Sequence, residues 1–112
     1  MGYIKHHAIV VTGWQEGSLE VVKNRAKNLG LQAIGPSTPA MNGYYSILIC
    51  PDGSKEGWDD SDLGDIRRSR FLEWLDSQRC LDRTPELEWV EVSFSNDDRK
   101  AEITNHAWTK ED

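Results

Sequence analysis

The chain has 112 residues, 38% hydrophobic and 29% charged, with a net charge of −6. That length makes one domain of ordinary size, able to bury a core without metals or disulfides. The acidic balance works against general nucleic-acid binding, no apolar run approaches the roughly 20 residues of a membrane helix, and the start of the chain lacks a signal-peptide pattern.

In chain order, Lys5 to Thr12 (K-H-H-A-I-V-V-T) has a continuous apolar middle, which predicts a central strand. The glycines and tryptophan of residues 13–17 break it. Ser18 is placed to cap a helix over Leu19 to Leu29, whose buried stripe is Leu19, Val22, Ala26 and Leu29. Gly30 stands where helices stop in a left-handed residue. Ala33 and Ile34 begin a proline-interrupted edge strand, and Asn42-Gly43 is a hairpin signal.

Tyr44 to Cys50 (Y-Y-S-I-L-I-C) reads as a second buried strand. A glycine-rich loop, Pro51 to Trp58, leads to the acidic run Asp59-Asp60-Ser61-Asp62, which opens a helix over Leu63 to Arg79. Its predicted stripe is Ile66, Phe71, Trp74 and Leu75. Leu87 to Ser95 alternates, with Val90, Val92 and Phe94 as its covered face. Ala101 to Trp108 can return as an extra C-terminal strand, and residues 109–112 form a loose tail. Cys50 ends an apolar run and Cys80 follows a helical pattern, so both read as reduced small hydrophobes.

The order β-α-β-β-α-β predicts a single α+β domain over residues 1–112, a ferredoxin-like sandwich. The alternative is a mixed α/β sandwich with another strand order. The plan as read here sets the first and third strands side by side and parallel. Both glycine-tryptophan loops then leave the same end of the sheet, each into a helix N-terminus. The candidate ligand or partner site is therefore Trp14, Gly17 and Ser18 from one loop, with Gly53, Ser54, Lys55, Gly57 and Trp58 from the other. Its ligand would be small and anionic or planar. Asp59, Asp60 and Asp62 oppose an anion there, and the plainer reading is that both tryptophans cap the core.

Sharper motifs fail. Gly53-Ser54-Lys55 lacks the spaced glycine of a phosphate-binding P-loop. Asp60, Asp62 and Asp65 begin like a calcium loop, but Phe71 stands where the bidentate glutamate belongs. His6 and His7 are adjacent in a strand and point to opposite faces, so they cannot chelate one ion. No catalytic set, metal site or cofactor motif emerges. Arg67, Arg68 and Arg70 form either a recognition patch or, preferably, a solvated face paired with Asp65 and Glu73.

The blocks H-H-A-I-V-V-T (residues 6–12), N-G-Y-Y (42–45), P-D-G-S-K-E-G-W (51–58) and L-E-W-V-E-V (87–92) resemble those of small uncharacterised proteins of phages, prophages and bacterial genomes. The resemblance implies a viral or mobile-element setting in the bacterial cytosol, and no assigned activity. The expectation is a non-enzymatic phage-type protein that binds a host or phage protein, as monomer or homodimer. A small-ligand sensor or sponge at the glycine-tryptophan loops is the first alternative, and a hydrolase using a histidine with the 59–62 carboxylates is the second.

Overall fold

The computed structural model describes residues 4–37, 43–51, 54–55, 59–78, 86–96 and 99–108, with backbone alone for 54–55 and 59–62. Its strands are β1 (Ile4–Gly13), β2 (Ala33–Ile34), β3 (Tyr45–Ile49), β4 (Ser54–Lys55), β5 (Glu88–Ser95) and β6 (Lys100–His106). Its helices are α1 (Glu16–Asn28) and α2 (Asp59–Ser77). The fold is α+β, with both helices contributing to one core on one side of an antiparallel sheet of order β2-β3-β1-β5-β6.

β1 is the central strand. It pairs antiparallel with β3 over Ile9 to Gly13 and with β5 over His6 to Thr12. The expected parallel pairing of the strands at 5–12 and 44–50 is therefore corrected. A strand that returns through a hairpin partner runs against its neighbour, and β2 and β3 are such a pair: Ala33 faces Ile49 and Ile34 faces Leu48. Beyond β3 the chain continues towards the start of β1, where β4 pairs Lys55 with Ile4 and Ser54 with Lys5.

Period-two alternation gives β1 two different faces. Ile9 and Val11 are fully buried beneath the helices, while Val10 on the other face is exposed. Leu19, Val22 and Ala26 of α1 and Phe71 and Leu75 of α2 complete the core, together with Ile47, Ile49, Leu87 and Trp89. Arg25 of α1 lies over the Trp74 ring of α2 at 5.7 Å and ties the helices together.

α1 begins at Glu16 with Gln15 as its N-cap, so Ser18 lies inside its first turn and is not the cap. At the other end Gly30 takes φ +83°, the left-handed conformation that a helix stop favours. A Cβ there would also press on the Arg67 guanidinium at 3.3 Å. In α2 the predicted stripe holds for Phe71 and Leu75 with Trp74 half-buried, but Ile66 is 48% exposed. The inward position of that turn belongs to Arg68 instead.

The phase predicted for β5 is also reversed. Trp89, Glu91, Ser93 and Ser95 face the helices and are buried, while Val90 and Val92 are half-buried and Phe94 is exposed on the other face. The reason is a change of partner along the strand. Leu87 and Trp89 meet the apolar half of the helix layer, and Glu91 meets a buried arginine.

Replacing Phe71 by Ala removes a large, fully buried ring and should cost about 3–5 kcal/mol in urea unfolding. Ile66→Ala should stay within about 0.5 kcal/mol of the parent. Equal losses at the two positions would contradict this placement of α2.

Candidate functional site

The helix-covered layer changes character along its length. On β1 the inward side chains run from Val11 and Ile9 to His7 and Lys5. On β5 they run from Leu87 and Trp89 to Glu91, Ser93 and Ser95. The polar halves lie beneath the N-terminal part of α2. There a cleft of about 270 Å³ opens, lined by Lys5, His7, Arg68, Ser69, Glu91 and Asn105, with Asp65 and Leu72 at its edge.

Arg68 and Glu91 are its buried centre, 6% and 4% exposed. Arg68 Nε lies 3.3 Å from Glu91 Oε2, and the same guanidinium donates to Asp65, one turn back on α2. The second oxygen of Glu91 accepts from Thr104 Oγ1 at 2.6 Å and Asn105 Nδ2 at 2.8 Å. β6 reaches these positions through an irregularity: Glu91 pairs with Asn105 but Val92 pairs with Ile103, so Thr104 is the extra residue of a bulge. A bulge re-aims side chains, and here it delivers two donors to one carboxylate.

The Glu91 carboxylate is thus held by three donors from α2 and β6. Ser93 faces His7 directly across the β1–β5 pair, yet its buried Oγ makes no hydrogen bond among the described residues. A nucleophile activated by a base needs that bond. Among the described residues no three His, Cys, Asp or Glu side chains come together to hold a metal ion.

Of the predicted two-loop site, the described residues are Trp14, Gly17 and Ser18 from one loop and the Ser54–Lys55 backbone from the other. Antiparallel pairing sends the chain after β1 out of one end of the sheet, with Trp14 67% exposed there. It sends the chain after β3 to the other end, where Ser54 and Lys55 pair with the start of β1. The ten residues of β1 separate these ends by roughly 30 Å. Gly17 and Ser18 stay with Trp14 on the first turn of α1. Gly53, Gly57, Trp58, Asn42 and Cys80 lie outside the described residues. Cys50 is a free thiol.

The arginine patch is divided. Arg67 and Arg70 are exposed, and Arg68 is buried in the cleft. The predicted three-residue pairing with Asp65 forms. The solvated reading fails for Arg68 because it turns inward to a buried partner on another element, Glu91. The phase change in the inward residues of β1 and β5 was the signal available in the sequence for this polar end.

Among the described residues no helix covers the opposite face of the sheet. One row across it runs Ile34, Leu48, Val10, Val90 and His106, each aligned with the next by strand pairing. The next row holds Ala8, Val92 and Ile103, and a third holds His6, Phe94 and Ala101. The His6 ring lies 5.1 Å from that of Phe94. Thr12 and Ser46, joined by a 2.9 Å hydrogen bond, close one end beside Glu88. Ile34 and Ile103, at opposite edges, are 59% and 65% exposed. Five strands share this apolar surface, which is large for a face open to water.

No protein-family model matches the chain, and neither a search of curated proteins nor one of solved structures finds a match. No helix among the described residues is long and apolar enough to cross a membrane.

Breaking the buried pair from one side strands a charge, so Arg68→Met alone should cost about 3–5 kcal/mol in denaturant unfolding. Arg68→Met with Glu91→Leu should cost clearly less than the two single changes added together. Additive losses would show that the two side chains are not coupled.

Proposed function

We propose that the chain is a non-enzymatic binding protein that docks another polypeptide on the open face of its sheet. The observation that carries this reading is the row Ile34–Leu48–Val10–Val90, apolar and continuous across four strands, with no helix over it among the described residues. Burying apolar area is the main source of association energy, and a contiguous exposed patch is where such a protein can gain it. The way Glu91 and Arg68 neutralise each other supports the absence of catalysis at the polar end. The resemblance to phage and prophage proteins supports a setting in the bacterial cytosol, with the partner a host or phage polypeptide.

The ferredoxin-like plan belongs to the same proposal. The strands of the β-α-β-β-α-β series take the order second, third, first, fourth, all antiparallel, with β6 added beside β5. This arrangement supports two interlocked β-α-β units with their helices on one face.

Chemical cross-linking of the wild-type chain in bacterial lysate tests the docking reading. A polypeptide adduct is expected, at least tenfold weaker for Phe94→Lys and unchanged for Val21→Lys on the exposed side of α1. No adduct, or equal adducts in both variants, would overturn the reading.

The cleft favours a second reading, a small polar ligand held by Lys5, His7, Ser69 and Asn105 beside β4. Its test is thermal unfolding against a panel of nucleotides, amino acids and organic acids. One class should raise Tm in the wild type and not in Lys5→Ala; a flat response to the whole panel would remove the reading.

A further inference from the structure

We infer that the occupant of the open sheet face is a second copy of this chain, packed face to face as a two-fold dimer. The inference rests on the docking reading and names its partner. Three features of the face support it.

The first is charge. The chain carries −6, so two copies repel one another over most of their surfaces. The three rows at the centre of the open face contain no Asp, Glu, Lys or Arg. Like-charged copies can meet there without burying an unpaired carboxylate, whose desolvation would oppose association. Glu88 stands at the rim, where it keeps its water.

The second is layout. β1 is the middle of five strands, with β3 and β2 on one side and β5 and β6 on the other. A two-fold dimer places the same patch on both partners, so the patch must match itself. Rotation about an axis lying in the interface along β1 carries the β2–β3 side of one copy over the β5–β6 side of the other. Ile34 and Leu48 then meet His106 and Val90 of their own row, with Val92 and Ile103 in the row beside them. Both halves are apolar, which is what that operation requires. Sheets packed in this way keep their strands within about 30° of each other.

The third is area. The 32 residues of the five paired strands, each covering about 4.8 Å by 3.4 Å, span roughly 500 Å² in projection. A pleated surface studded with side chains exceeds its projection. The face therefore comes close to the roughly 800 Å² per partner of a standard interface.

Sedimentation velocity and light scattering on the full chain test this. The wild type should run at twice 12.8 kDa at about 100 µM, a concentration well above a micromolar Kd. Leu48→Lys and Ile103→Glu should each shift the chain to monomer, weakening association at least tenfold, with circular dichroism unchanged. Val21→Lys, equally exposed but on α1, should remain dimeric. Mixing Leu48→Lys with Val90→Glu should restore a dimer, because the two-fold sets position 48 of one copy over position 90 of the other. A wild type that stays monomeric at that concentration overturns the second-copy assignment. So does a dimer that both sheet-face variants leave intact. A monomeric wild type that still forms a lysate adduct sensitive to Phe94→Lys would leave the docking reading standing without the dimer.

Discussion

The structure turns on β1 as a strand bonded along both edges. With β3 on one side and β5 on the other, its backbone is satisfied within the sheet, and its side chains have only two directions to take. Alternation then divides the whole molecule. Ile9 and Val11 point into the layer that α1 and α2 close, and Ala8 and Val10 point into the layer that neither helix reaches. Because β1 and β3 run antiparallel, the connections that follow them leave from opposite ends of the sheet. That single geometric fact places β4 against Lys5.

Under the helices, packing is graded and not uniform. The end built from Val11, Leu19, Leu75, Leu87 and Trp89 is held by apolar burial. The end built from His7, Arg68 and Glu91 is held by charge-assisted hydrogen bonds. Burying an ion pair is a weak route to stability, because desolvating both charges offsets much of their attraction. Its value here is positional. Arg68 can satisfy Asp65 and Glu91 together only when α2 sits at one rotation and one height above β5, and the bulge at Thr104 fixes β6 in the same network. Ile66 is turned to solvent as the consequence.

The two layers therefore suit different tasks. In the covered layer Arg68, Glu91, Thr104 and Asn105 bond to one another. The open layer leaves its apolar side chains exposed and its centre uncharged, in a chain whose remaining surface is acidic. A surface of that kind gains free energy from burying its apolar area. Trp14, the most conspicuous residue in the sequence, lies away from both layers.

Local chemistry made much of this legible from the sequence alone. The apolar run at 8–11, the helical stripe of Leu19, Val22 and Ala26, the left-handed stop at Gly30 and the strands at 45–49 and 88–95 are set by periodicity and propensity, which act over a few residues. The α+β class follows from their order. Direction and phase were decided only by tertiary structure. Whether β1 and β3 run parallel depends on how the chain returns between them, and no residue within either strand records it. The phase of β5 was unreadable for a related reason: Val90, Val92 and Phe94 are the more apolar set, and they would face the core if burial alone ruled. They face outward because Glu91 has Arg68, Thr104 and Asn105 to meet inside. A buried charge is tolerable only with its partners present, and those partners come from two other elements, 23 residues before it and 13 and 14 after it.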